Sequence, residues 1–306
     1  MNTLYAMPGN EVFTEALARH CGYPRRALSV HGFPDGETLL QMEAPAPGDV
    51  AILVCTLDRP DPKLWPLMMA ASTARELRAS RVCLVAPYLA YMRQDARFHP
   101  GEAVSARIFG HWLYDTFDGL VTVDPHLHRC RHIADIYPRP VRVVHVAAEL
   151  AAWIALHVDK PLIIGPDEES GQWVNMLANL LCAPSIVARK ERRGDREVEI
   201  RLPELDQWTG YTPVLLDDII ASGQTMLQTL RHLRDRASKP VCVAVHGVFA
   251  DGALEGFSGE PGVEIVTSNS ITRGETTQVD ISKPVADAVI ELCGSWAAAE
   301  AGRASA

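Results

Sequence analysis

The 306-residue chain has no CxxC pair, and its seven cysteines, Cys21, Cys55, Cys83, Cys130, Cys182, Cys242 and Cys293, are odd in number and scattered. That pattern argues against a disulfide scaffold. Most of these cysteines lie in apolar runs, where a free thiol acts as a small core residue. A reducing compartment follows, and the protein is expected to be cytoplasmic. No apolar run approaches the roughly 20 residues that span a bilayer, and no basic stretch followed by a long apolar segment opens the chain. Neither a membrane span nor a secretory leader is expected. A basic block is also missing. Net charge is −9, from 29 basic and 38 acidic residues, and the densest basic cluster, Arg189-Lys190-Glu191-Arg192-Arg193, is short and mixed. This argues against a nucleic-acid partner. There is no short repeat and no long low-complexity tract.

What is present is a regular alternation. Near-continuous apolar runs at 50–55, 81–86, 119–123, 161–165, 185–188, 213–217, 241–247 and 263–267 have the pattern of strands buried on both faces of a parallel sheet. Helical patterns lie between them near 10–21, 63–79, 103–116, 147–157, 171–181 and 223–237. Strand–helix alternation predicts open α/β sheets with ligands at the strands' carboxyl ends. The length suggests two domains of about 100–200 residues each. Pro138-Arg139-Pro140 is the expected linker, dividing residues 1–142 from 143–284. A helix over 285–299 is expected to pack back on the first half, and the small, polar residues 300–306 to fray.

The most informative stretch is "DDIIASGQTM", Asp217 to Met226. Asp217 and Asp218 close a strand-like run, and Ala221-Ser222-Gly223 then enters a helix that begins near Gln224 and Thr225. Unpaired N–H groups and the positive end of the dipole at a helix N-terminus suit a phosphate, and glycine allows close approach. Ser222 and Thr225 add hydroxyl donors. The two carboxylates can accept hydrogen bonds from neighbouring sugar hydroxyls. Phosphate at one end and a diol at the other describe a ribose 5-phosphate. An acid pair before a Gly/Ser loop also serves as a plain helix cap; the strand–acid–acid–loop–helix context favours the ligand.

Five further segments carry polar chemistry. "FPDGE", Phe33 to Glu37, is a turn sequence; Phe33 can stack on a base while Asp35 and Glu37 accept from ring or amino hydrogens, or the segment is a surface hairpin. In "PYLAYMRQD", Arg93 can pair with phosphate in a fork and Gln94 can bond on two sides. In "VTVDPHLHRCRH", the alternation of His126, His128, Cys130 and His132 suggests zinc only if the segment is a strand; Pro125 argues for a loop, and no second Cys/His group has zinc spacing. His126 near a triphosphate and magnesium is the favoured reading, with His128 and His132 on the surface. "GPDEESGQW" places Asp167 to meet a hard cation, although an acidic cluster at a helix N-terminus is also its own explanation. "ARKERRGDREVEI" is too polar to pack, and reads as a solvated connection or as a lid bringing Lys190 and Arg192 onto transferring phosphates.

In order, "FPDGE", "YMRQD", "VDPH", "GPD", "RKERR" and "LDDIIASGQT" resemble the landmarks of the phosphoribosyl-diphosphate (PRPP) synthases, or ribose-phosphate diphosphokinases, from residue 33 to residue 225. "RQDARFHPGEAVS" and the short "KERRGDREVEI" look like the family's archaeal-type branch. The resemblance implies two tandem type I phosphoribosyltransferase-like domains with open, mainly parallel sheets. It implies transfer of diphosphate from ATP to the C1 hydroxyl of ribose 5-phosphate, with AMP leaving. It assigns ATP to Phe33, Asp35, Glu37, Arg93, Gln94 and His126, and Mg2+ to His126 and Asp167. Lys190 and Arg192 are the catalytic cations. Asp217, Asp218, Ala221, Ser222, Gly223, Gln224 and Thr225 hold ribose 5-phosphate. A homo-oligomer is implied too, with ATP bound partly by a neighbouring subunit. The chain departs from the family at Ala221, where an acid is common, at Gln224, where glycine is common, at Pro125, and in lacking the glycine pair after Asp167. Two other readings stay open: a phosphoribosyltransferase or synthase-like enzyme with another donor or acceptor, and a non-catalytic regulatory homologue. Release of AMP with ribose 5-phosphate separates the first from these.

Overall fold

The computed structural model describes the chain apart from residues 1, 128, 129, 131, 169, 194–196, 202–204, 234–238, 261 and 305–306, with only the backbone described at 189–193, 197–201 and 300–304. It divides into two compact units, one of residues 1–144 with 282–306, the other of residues 145–281.

In chain order the first unit has β1 (Asn2–Ala6), α1 (Glu11–Cys21), β2 (Leu28–Gly32), β3 (Thr38–Met42), β4 (Val50–Val54), α2 (Asp61–Glu76), β5 (Arg81–Ala86), α3 (Ser105–Thr116), β6 (Gly119–Val123) and β7 (Val141–Val144). The sheet order is β1-β4-β5-β6-β7, and every pair is parallel. β4 and β6 are buried at every position, as their unbroken apolar sequences require. β2 and β3 form a separate antiparallel ribbon. Helix α1 stops at Gly22, whose φ of +68° lets its N–H turn back to the Ala18 carbonyl at 2.9 Å.

The second unit runs α4 (Ala147–His157), β8 (Pro161–Gly165), α5 (Gly171–Leu181), β9 (Ser185–Val187), β10 (Arg189–Arg193), β11 (Glu197–Arg201), β12 (Thr212–Ile220), α6 (Gln224–Leu233), β13 (Val241–Gly247), α7 (Ala253–Ser258), β14 (Glu264–Ser268) and β15 (Thr277–Val279). Its parallel sheet has the order β15-β14-β13-β12-β8-β9. The last helix, α8 (Ser282–Ala304), returns to the first unit and packs on α1, β6 and β7. Trp296 lies so close to Gly119 of β6 that a Cβ there would stand 2.5 Å from the indole.

Several expectations need correction. The chain passes between units after Val144, two residues beyond the expected boundary at 142, because the run Val141–Val144 that follows Pro138-Arg139-Pro140 pairs as an edge strand with β6. Residues 300–304, expected to fray, continue α8; Glu300, Ala301, Arg303 and Ala304 are good helix formers, which offsets Gly302. The polar segment after β9, read as a solvated connection or a lid and not as strands, is an antiparallel ribbon with Lys190 opposite Ile200 and Arg192 opposite Val198. The ladder bonds of a two-stranded ribbon do not require an apolar face on every residue. All seven cysteines are free, and burial pushes the Cys55 and Cys293 thiols up to about 12, so these act as core groups and not as nucleophiles. Among the described residues no helix is long and apolar enough to cross a membrane.

Candidate active site

Because each large sheet is wholly parallel, the segments that leave its strands' carboxyl ends gather on one edge. In the second sheet β12 lies between β8 and β13. Leu215 pairs with Ile164, so Asp217 and Asp218 come level with the Pro166–Asp167 turn that leaves β8. The strand runs through the acid pair to Ile220, three residues beyond its expected end at 217.

Asp217 is half-buried. Burial, chiefly, with Asp218 and Asp167 adding their negative charge, pushes its carboxyl up to about 8. Its Oδ1 accepts the Asp218 N–H at 2.9 Å. Asp167 turns its own Oδ1 toward the Ser170 N–H at 3.2 Å, and its carbonyl accepts the Ser170 hydroxyl at 2.6 Å, which starts α5. The helix-capping and charge-presenting explanations of Asp167 thus coexist. Three carboxylates share the end of two neighbouring strands.

After Ile220 the loop Ala221–Gly223 leads directly into α6. Gly223 has φ +70°, and a Cβ on it would stand 2.5 Å from the Phe257 ring, so both conformation and packing demand glycine. Its carbonyl accepts the Leu227 N–H at 2.8 Å, the first bond of the helix. The Ser222 Oγ reaches the Gln224 N–H at 3.4 Å. Ser222 and Gln224 are exposed, while Met226 and Leu227 behind them are buried. The loop therefore offers donors outward from a fixed apolar base. Lys190 and Arg192 lie in β10 of the same unit; their side chains are outside the described residues.

In the first unit, Arg93, Gln94 and His126 share the carboxyl edge of the five-stranded sheet, on the segments after β5 and β6. Phe33, Asp35 and Glu37 instead sit on the β2–β3 turn, outside that sheet. There the Phe33 N–H bonds the Glu37 carbonyl at 2.8 Å, Gly36 has φ +92°, and the Phe33 ring is 44% exposed, open to stacking. Arg93 is exposed, and Tyr91 just before it has φ +64° and a hydrogen bond to Asp61. Gln94 Nε2 is held by the Ala96 carbonyl at 3.1 Å and by Glu102 at 3.2 Å. The same Glu102 oxygen accepts the Phe98 and His99 N–H groups at 2.9 and 3.0 Å. Sequence reading missed Glu102, whose only signal was its place after the Pro-Gly turn.

His126 follows Asp124, a buried residue at φ +34°. Residues 125–127 form a loop, as Pro125 implied. His128 lies outside the described residues, His132 is exposed, and Cys130 packs against the core. Among the described residues no three His, Cys, Asp or Glu side chains, the Asp167, Asp217 and Asp218 carboxylates included, are placed to hold one metal ion by themselves.

Parallel sheets with an acid pair and a Ser-Gly loop entering a helix at a carboxyl edge have the form of a phosphoribosyltransferase-type α/β fold. Comparison with known proteins narrows that class. Residues 3–115 match the N-terminal domain of ribose phosphate pyrophosphokinase, and residues 134–279 match the phosphoribosyl transferase domain. The ribose-phosphate pyrophosphokinase of Sulfurisphaera tokodaii is 32% identical over 279 residues, 89% of this chain and 94% of that one. That of Methanopyrus kandleri is 31% identical over 265 residues, 86% and 89% of the respective chains. Both relatives are archaeal, in agreement with the archaeal-type features of the sequence. A crystal structure of phosphoribosylpyrophosphate synthetase from Mycobacterium smegmatis shares the fold, with a TM-score of 0.82 at 22% identity over 96% of this chain and 99% of that one. The chain belongs to the ribose-phosphate pyrophosphokinase family, and it is an enzyme.

Proposed function

We propose that the protein transfers the β,γ-diphosphate of ATP to the C1 hydroxyl of ribose 5-phosphate, giving PRPP and AMP. The observation that carries this reading is the β12–loop–α6 segment. It joins a half-buried acid pair to a helix N-terminus through a glycine that nothing larger can replace. Asp217 and Asp218 accept from the ribose 2- and 3-hydroxyls. Ala221, Ser222, Gly223, Gln224 and Thr225 receive the 5-phosphate with N–H and hydroxyl donors. Phe33 stacks on adenine, Asp35 and Glu37 read its edge, and Arg93, Gln94 and His126 hold the phosphates.

The C1 oxygen attacks the β-phosphorus as the bond to the AMP oxygen breaks. Lys190 and Arg192 neutralise the charge that develops on the transferring group. The protein's share of catalysis is alignment and charge, not a covalent intermediate.

The donor set fits Mg2+. The carboxyl crowding that raises Asp217 is relieved by a divalent cation. Magnesium takes one or two protein oxygens and completes its shell with substrate phosphates and water, so a full protein cage is not required. Asp167 in the second unit and His126 in the first are each assigned to Mg2+, without a shared ion. When bound it withdraws charge from the phosphates. The first unit serves ATP and the second the sugar phosphate. The enzyme works as a homo-oligomer in the reducing cytoplasm, without nucleic acid or membrane, consistent with its free thiols. AMP release that depends on ribose 5-phosphate, and falls together with PRPP formation in Lys190→Ala, tests the assignment; ADP as the product would overturn it.

A further inference from the structure

We propose that the turn leaving β13, Gly247–Ala250, is the positioning device for the ribose 5-phosphate loop, with Phe249 as its pivot; this rests on the assignment of that loop made above. Two consecutive N–H groups of the turn reach across to the loop. Phe249 donates to the Ile220 carbonyl at 2.9 Å, and Ala250 donates to the Ala221 carbonyl at 2.9 Å. These carbonyls belong to the second and third residues beyond the acid pair. A carbonyl turned toward a phosphate repels it. Committing both carbonyls to the β13 turn leaves the donors that follow, at Ser222 to Thr225, to face the anion.

The turn is built for this at a conformational cost. Phe249 has φ +42°, a region where a bulky residue is an outlier and needs over-determined surroundings. Those surroundings are present. Phe249 is 5% exposed, and its ring lies so close to Gly247 that a Cβ there would stand 2.6 Å from Cε2 and 3.0 Å from the Thr267 methyl. Upstream, a buried polar cluster fixes the end of β13. Ser268 Oγ donates to the Val245 carbonyl at 2.7 Å, and His246 Nδ1 lies 2.8 Å from Ser270 Oγ. Downstream, α7 carries Phe257 against Gly223. One continuous segment, His246 to Phe257, therefore holds the sugar-phosphate loop from its first carbonyls to its glycine. None of these side chains is assigned a contact with substrate; they act through the loop.

The test is Ala250→Pro, which removes one of the two N–H donors without touching a substrate-binding side chain. The Michaelis constants for ribose 5-phosphate and ATP are measured in the full-length enzyme. The expected result is a rise of about tenfold for ribose 5-phosphate with less than about a twofold change for ATP. A folded variant in which the ribose 5-phosphate constant stays within about twofold of wild type, or in which both constants rise together, overturns the proposal. If Ala250→Pro does not fold, Phe249→Ala is read by the same criterion, with the same two outcomes. Wild-type enzyme lacking AMP release dependent on ribose 5-phosphate would sink the loop's assignment itself, and the clamp with it. Normal wild-type turnover beside an unmoved constant in the variants would sink the clamp alone.

Discussion

Phe257 occupies the space that any side chain on residue 223 would need: its Cε2 lies 2.5 Å from the Cβ position of Gly223. The ring is 4% exposed and cannot swing into solvent, and the backbone at Gly223 is at φ +70°. Gly223→Ala must therefore move the loop or the helix behind it. A displacement of about 1 Å in a positioning element costs on the order of 10²-fold in rate. We expect kcat/KM for ribose 5-phosphate to fall by about that factor in steady-state assays. Near-wild-type kinetics in Gly223→Ala would show that the loop is not held as described.

Asp217 makes stability depend on pH. Its carboxyl rises from an ordinary value of 3.8 to about 8 in the folded protein, first through burial and then through Asp218 and Asp167. The folded state therefore binds the extra proton between those values. This contribution to stability is fully present below about pH 4 and is lost as pH rises through about 8. The ligand-free protein's melting temperature should carry a downward component over that window, and Asp217→Asn should remove it. Mg2+ with ribose 5-phosphate should displace the proton, so calorimetry in buffers of different ionisation enthalpy should show proton release on binding. An Asp217→Asn melting profile parallel to wild type would contradict the assignment.

Glu102 shapes the loop we assign to ATP by taking three donors on one oxygen, including Gln94 Nε2. Glu102→Ala leaves two backbone N–H groups and the Gln94 amide without that acceptor. The expected result is a KM for ATP raised about tenfold, with the KM for ribose 5-phosphate little changed. The reverse pattern would place Glu102 outside the ATP machinery.

The carboxyl-terminal helix is a structural part of the first unit. Trp296 is 6% exposed, packs on Gly119, and lies 5.3 Å from the Arg81 guanidinium, while Arg142 pairs with Glu291 at 2.9 Å. Trp296→Ala should cost about 3–5 kcal/mol of stability in denaturant unfolding. A loss below about 1 kcal/mol, the scale of an ordinary surface change, would mean that α8 is not integral to that unit.

The buried strands were legible because continuous apolar runs such as Val50–Val54 and Gly119–Val123 have little alternative in an α/β chain. The edges were not. β1 opens with polar Asn2 and Thr3, and the four-residue β7 follows a Pro-Arg-Pro segment that reads as a linker. The β10–β11 ribbon has too many charges to show a strand period. At the candidate site, Asp217, Asp218 and the loop to Thr225 were legible from local order alone, since strand, acids, glycine and helix follow one another without a gap. Glu102, Phe249 and Phe257 were not, because their roles depend on contacts across the sheet edge or along a loop. A single sequence does not show that Phe249 adopts a positive φ, nor that Phe257 sits on Gly223.

The central claim is diphosphate transfer, and ATP labelled at its β-phosphorus tests it most directly. Incubated with ribose 5-phosphate and Mg2+, the enzyme should move the label into PRPP, in equal amount to unlabelled AMP, and Lys190→Ala should suppress both products. Label retained in ADP, with only the γ-phosphoryl group transferred, would contradict the account.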